Sequence, residues 1–270
     1  MTGTGRGDRA FVIALALIGG VYVFLIVALV VAQAMYTTPG TVWESLGSGA
    51  VRYAIQLSLI SSTLTAILSV WVAVPLGYLL SRSAFPGKRL LEAVIDIPII
   101  LPPLVIGLGL LILFQTAPGR LLQRIIPVTY EVPSVILAQF MVSCAFAART
   151  MRVAFDEISP RSEQVAMTLG CTRAQAFWRV TLPEAGGGIL AAATLAWARA
   201  LGEFGPILVF SGATRMKTEV LSTTVFLELS IGNLEAAVAV SLLMVGMAVA
   251  VLIVARSFGA GGSLGRAVGA

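Results

Sequence analysis

The sequence predicts an all-α membrane protein, a bundle of six transmembrane helices with a cytoplasmic loop between the fourth and fifth. Three observations carry this. Of 270 residues, 58% are hydrophobic and 11% charged, with a mean hydropathy of +0.96, against about 45–50% apolar and about 25% charged in a soluble domain. The apolar residues fall in runs of the roughly 20 needed to cross a bilayer as helix. Period-2 alternation is absent, which excludes a barrel. A cytosolic enzyme, a secreted disulfide scaffold and a disordered regulator are excluded on the same grounds.

The first run is roughly residues 11–34. Arg6 and Arg9 precede it and Ala32-Gln33-Ala34 resembles a cleavage site. The stretch is nevertheless longer than the about 7–15 residues of a cleaved signal, so it reads as a retained helix. The next runs are roughly 53–80, 90–114 (broken by prolines), 133–148, 186–210 (with charges inside it) and 234–255. Residues 1–256 then form one transmembrane domain, and the Gly-rich segment 257–270 a short, disordered cytoplasmic tail.

Basic residues set the orientation. With the N-terminus inside, twelve Lys and Arg fall in cytoplasmic segments and five in outer ones, with Arg199 inside a span. That bias places both termini in the cytoplasm of a multi-pass protein of the cell (inner) membrane. It also accounts for the net charge of +5 without nucleic acid as partner. His is absent, and Cys144 and Cys171 are far apart. Neither a disulfide nor a metal site is expected.

The longest polar segment, about 149–185, reads as two short helices. Ser159 is an N-cap with Pro160 at the first helical position, where its missing N–H costs nothing. That helix stops at Gly170, which takes left-handed backbone angles readily. Thr172-Arg173-Ala174-Gln175 is a capping box. The second helix carries Phe177 and Trp178 among Arg173 and Arg179 and ends before Pro183. Spacing alone leaves two readings open, a hairpin lying on the bilayer and a docking knob for another protein.

The run Glu163-Gln164-Val165-Ala166-Met167-Thr168-Leu169-Gly170, then nine residues, then Val180-Thr181-Leu182-Pro183, resembles the signature of permease subunits of bacterial and archaeal ABC importers. That pattern is E-A-A, three residues, Gly, nine residues, I-x-L-P. Gln164, Val165 and Val180 are mild departures from it. The resemblance implies that this loop is the coupling helix seated in a groove of a cytoplasmic ATPase. Glu163, Gln164, Ala166, Gly170, Phe177, Trp178, Leu182 and Pro183 would belong to coupling. It also fits an absence: no G-x-x-x-x-G-K-[ST] phosphate loop is present, and Pro86-Gly87-Lys88-Arg89 is not one. ATP would be bound by a separate chain, and no cofactor is expected here.

Within the membrane, Arg199 and Glu203 lie four residues apart on the fifth run, on one helix face. Such residues mark a pathway or, in the plainer reading, a neutralised pair that sets helix packing. Gly202, Gly205 and Pro206 surround them. The third run carries Pro98, Pro102, Pro103, Gly107 and Gly109, an interruption that is tolerated where protein or a water-filled cavity satisfies the backbone. It reads as a kinked helix lining a pathway.

Leu201-Gly202-Glu203-Phe204-Gly205 resembles the fifth-span motif of molybdate, tungstate and sulfate permeases, and Leu101-Pro102-Pro103 with Val105-Ile106-Gly107 is similar to their third span. The resemblance implies a tetrahedral oxyanion, molybdate or tungstate first, moved by alternating access. Arg199, Gly202, Glu203, Gly205, Pro102 and Pro103 would line the pathway or gate. It further implies a second copy of the chain, ATPase subunits and an extracytoplasmic solute-binding protein as partners, with membrane lipid around them. A permease for sulfate, phosphate or another solute is the alternative. A polytopic membrane enzyme would need clustered acids, nucleophiles or ligands, which are missing. An inert anchor would not carry a charged, broken span.

Overall fold

A computed structural model describes residues 6–267. All regular structure in this range is helical. The chain runs through α1 (Arg6–Tyr36), the short α2 (Pro39–Gly47), α3 (Gly49–Arg82), α4 (Lys88–Ile100), α5 (Pro103–Gln115), α6 (Ala117–Ile125) and α7 (Val132–Glu157). The loop helices α8 (Pro160–Thr168), α9 (Arg173–Ala176) and α10 (Leu182–Glu184) follow, with a π turn over Phe177–Thr181 between the last two. Then come α11 (Gly186–Leu201), α12 (Gly205–Ser211), α13 (Leu221–Ser230) and α14 (Leu234–Ala267).

Six uniform spans are not what forms. Among the described residues, four helices are long and apolar enough to cross a bilayer alone: Phe11–Tyr36 of α1, α3, α7, and Leu234–Ile253 of α14. The third run is two 13-residue helices, α4 and α5, meeting at 111°. Each is about 20 Å long, short of the roughly 30 Å hydrocarbon core. The prolines explain a break where a kink was expected. A residue before proline is pushed out of the α region, and Pro102-Pro103 applies this twice. Leu101 (φ −69°, ψ 143°) and Pro102 (φ −54°, ψ 130°) are both extended. Pro98, alone inside α4, breaks nothing.

The fifth run is likewise divided, into α11 of 16 residues and α12 of seven. Helix bonding ends at Gly202 and resumes with Leu208 N–H donating to Phe204 O at 2.9 Å. Pro206 falls in the first turn of α12, where no N–H is required. At the C-terminus α14 extends through Ala267, so most of the segment expected as a disordered tail is helical; residues 268–270 lie outside those described.

The centre of the bundle is α3, α7 and α11. Their facing positions are small: Ala66 and Ala73, Ala147 and Ala148, Ala192 and Ala196 are all buried together. Small side chains let helices approach closely enough for dispersion to hold them in a solvent as apolar as themselves. At the α3–α7 crossing a Cβ on Gly77 would lie 2.8 Å from Arg152 N. A second core joins α5, α7 and α12 through Leu110, Phe114, Val135, Ile207 and Phe210. By contrast, α1 packs on α14, where Ser241 Oγ bonds Gln33 Oε1 at 3.2 Å, and its described side chains stay exposed or half-buried.

Candidate functional site: the polar loop and the two broken helices

The loop assembles as its local chemistry dictates. Ser159 Oγ accepts from Arg161 N–H at 3.3 Å and starts α8. At its end Gly170 takes φ +93°. Its N–H reaches Met167 O at 3.1 Å, while Cys171 N–H reaches Ala166 O at 3.0 Å. This pair of bonds is the Schellman stop, in which a left-handed residue satisfies the last carbonyls. The capping box also forms: Gln175 N–H donates to Thr172 Oγ1 (3.2 Å) and Thr172 N–H to Gln175 Oε1 (2.9 Å).

One expectation for this segment is corrected. The second helix does not end before Pro183 but passes through it. Residues 177–181 widen into a π turn, with Leu182 N–H donating to Phe177 O, and Pro183 sits in the first turn of α10. Proline has no N–H and its ring crowds the carbonyl four residues back. A single wide turn accommodates both, as π bulges commonly do.

The loop has two faces. Toward the bundle, the half-buried Phe177 stacks edge-on against Tyr78 with centroids 4.6 Å apart, and Ala166 and Glu163 are buried. Toward solvent, Val165, Met167, Leu169 and Trp178 are exposed; Leu169 is 82% accessible and Trp178 66%. Gln164, Gly170 and Pro183 are exposed and Leu182 half-buried. The two adjacent aromatic rings touch edge-on, with centroids 5.4 Å apart, and differ in exposure, Phe177 being half-buried against Tyr78 and Trp178 open to solvent.

If this loop is the coupling segment that its resemblance implies, Gly170→Val should separate ATP hydrolysis from transport without preventing membrane insertion. No atom lies within 4 Å of a Cβ at this position, so the penalty is conformational. A β-branched residue at positive φ costs on the order of 1–3 kcal/mol, enough to redirect the turn between α8 and α9. Uptake per ATP hydrolysed in vesicles is the measurement, and normal transport would refute this role of the turn.

Deeper in the bundle, the divided fifth span carries its charges at the break. Arg199 Nη1 lies 2.7 Å from Glu203 Oε2. The carboxylate is buried and the guanidinium side chain 28% exposed, beneath the Phe146 ring at 5.9 Å. The freed backbone is held by side chains: Ser222 Oγ donates to Glu203 O at 2.6 Å, and Gln139 Nε2 donates to Ala200 O at 3.1 Å. Gln139 Oε1 in turn accepts from Thr65 Oγ1 of α3 at 3.2 Å.

The two breaks meet. A Cβ on Gly205 would stand 3.1 Å from Leu104 N and 3.2 Å from Pro103 Cβ, and one on Gly107 would stand 2.7 Å from Pro206 Cα. The second halves of the two interrupted spans, α5 and α12, therefore pack backbone to backbone. Gly205 and Glu203 are buried there, while Gly202, Pro102 and Pro103 are exposed. Gln139, Thr65 and Ser222 were not anticipated. A lone amide inside the fourth apolar run is a signal that could have found Gln139, since polar groups in a span are costly unless they bond.

This is the architecture of a membrane permease: apolar helices, two spans interrupted where they meet and one of these breaks carrying a charged pair, with a capped helical loop bearing exposed apolar side chains. Residues 73–260 match the family described as binding-protein-dependent transport system inner membrane component, and the chain belongs to that family. It is a multi-pass inner-membrane protein and a transport subunit of an ABC importer, and the enzyme reading falls away. Among relatives, it is 36% identical over 239 residues to a "Probable molybdenum ABC transporter permease protein" of Haloferax volcanii, covering 88% of this chain and 85% of that one. It is 35% identical over 202 residues to the sulfate transport system permease protein CysT of Escherichia coli, covering 74% and 73%. Its fold is that of a bacterial alginate ABC transporter solved with pentasaccharide-bound periplasmic protein. There the TM-score is 0.72 at 19% identity, over 92% of this chain and 93% of that one.

Proposed function

We propose that this permease carries a tetrahedral dianion, molybdate or tungstate, inward by alternating access, as one of two identical copies. The observation that carries the reading is the Arg199–Glu203 pair at the break of the fifth span. A guanidinium already matched to a carboxylate leaves the break near neutral, so a dianion is neither repelled nor trapped there. Arg199 is partly exposed while Glu203 is buried, so a passing anion meets the cation. The molybdenum relative supports this choice of ion.

In this reading two ATPase subunits close on ATP, and the loops seated on them move with them. The α5–α12 unit, free of continuous helix at both breaks, opens outward. An extracytoplasmic binding protein delivers the anion, and ATP hydrolysis returns the gate inward. Both termini lie in the cytoplasm, on the loop side. Leu169 and Trp178 supply the apolar surface that the ATPase covers, and Phe177 holds the loop to the bundle.

The Escherichia coli relative favours a second reading, sulfate as the carried ion, on the same chemistry. Uptake of labelled molybdate into vesicles holding the assembled transporter decides between them. The proposal expects tungstate to compete at equimolar concentration and a hundredfold excess of sulfate to leave uptake intact. Competition by equimolar sulfate with none by tungstate would reverse the assignment.

The division of labour between the aromatic residues is separately measurable. Trp178→Ala should weaken retention of the ATPase, since truncating an aromatic anchor costs about 2 kcal/mol, roughly thirtyfold in affinity. Phe177→Ala should instead lower the melting temperature of the isolated permease by removing its stack on Tyr78. Undiminished co-purification of the Trp178 variant would place that side chain on the lipid surface.

A further inference from the structure

Glu163 is the only acid of α8, and it is buried where the loop meets the bundle. Its two oxygens take three hydrogen bonds. Oε1 accepts from Arg82 Nε at 3.2 Å and from Thr181 Oγ1 at 2.8 Å, and Oε2 accepts from Tyr78 OH at 3.0 Å. Tyr78 and Arg82 lie four residues apart on one face of the cytoplasmic end of α3. Thr181 closes the π turn. Arg82 also donates from Nη2 to Ile158 O at 2.6 Å, pinning the strand of chain between α7 and α8. Over this cluster Tyr78 packs edge-on against Phe155 and Phe177, with centroids at 5.6 and 4.6 Å.

We propose that Glu163 is a latch, a positioning residue that fastens the cytoplasmic loop to α3 so that movement of the loop becomes movement of that helix. One carboxylate joins three segments, α3, α8 and the π turn. Hydrogen bonds to a charged group in a shielded place are among the stronger ones available. Buried, and with both oxygens bonded from α3 and the π turn, Glu163 is turned away from an outside partner. The exposed apolar residues of the loop are left to make that contact. At mid-membrane the same helix α3 is joined through Thr65 and Gln139 to Ala200, beside the break of the fifth span. The latched helix therefore reaches from the loop to the gate. The proposal rests on the reading of this loop as the ATPase-docking segment.

The test uses the assembled transporter in vesicles, with wild type, Glu163→Gln, and the double variant Glu163→Gln/Arg82→Gln. Glu163→Gln should keep its ATPase subunits through purification and hydrolyse ATP within about twofold of wild type. It should carry about tenfold less anion per ATP, as expected for losing hydrogen bonds to a charged group. The double variant also removes the unpaired Arg82 charge, so its yield and melting temperature should return while transport per ATP stays low. Amides of residues 160–169 should exchange with solvent faster in both variants. Recovery of full coupling by the double variant would reduce the cluster to packing and overturn the latch. Loss of the ATPase subunits in Glu163→Gln would place this residue at the interface, and unchanged exchange would show that it fastens nothing; either result also overturns it. If wild type carries no oxyanion in an ATP-dependent way, the oxyanion reading fails, and amide exchange still decides the latch.

Discussion

Gly107→Leu should abolish transport and lower the yield of folded protein, the largest effect expected of a single substitution here. A Cβ alone at this position would stand 2.7 Å from Pro206 Cα and 2.9 Å from Pro206 O. Those are backbone atoms at the start of α12, which no side-chain rotation can move aside. Overpacking of this kind typically costs about 1–3 kcal/mol where neighbours can yield, and more is expected against backbone. Gly109, two residues on, has nothing within 4 Å of a Cβ, so Gly109→Ala should fold and transport normally. The pair makes the experiment specific: both glycines sit in the same apolar helix, and only one faces α12. Uptake normalised to folded protein is the measurement. Normal uptake by Gly107→Leu would mean that α5 and α12 do not pack as a unit.

That contrast between two glycines was not legible in the sequence, where both stood as features of one interrupted span. What could be read were properties set by nearby residues. The N-cap at Ser159, the left-handed stop at Gly170 and the Thr172–Gln175 box all formed because each depends on a handful of adjacent atoms. The apolar runs were visible because bilayer thickness sets their length. Breaks were harder to place than kinks. A single proline such as Pro98 and the doubled Pro102-Pro103 look alike in a hydropathy window, yet only the second forces two successive residues to leave the helix. The direction of a side chain within the loop was also hidden. Phe177 and Trp178 are neighbours with equal apolar character, and only the position of Tyr78 on α3, about a hundred residues earlier, decides which turns inward. Gln139 and Thr65 gain their meaning in the same way, through partners distant in the chain.

Replacing both members of the Arg199–Glu203 pair by apolar residues should restore folded protein but not transport. Arg199 and Glu203 are 2.7 Å apart, with the carboxylate wholly buried. Glu203→Gln alone leaves the Arg199 cation unmatched at the break. A dianion should then be held too long, and uptake should fall at least tenfold with tighter apparent binding. Arg199→Met alone leaves a buried carboxylate without its cation. Breaking a buried pair from one side costs about 3–5 kcal/mol, so less folded protein should be recovered. Anion uptake should fall as well, whether the carboxylate stays charged and repels or takes up a proton. Arg199→Met with Glu203→Leu removes both charges, and a buried pair exchanged in this way is often neutral for stability. If the pair only packed the helices, yield and transport would recover together. A pathway that needs the Arg199 cation predicts recovered yield and uptake still below a tenth of wild type. Labelled molybdate and tungstate should both show that loss in the double variant, because the guanidinium meets their shared charge and not the identity of the central atom.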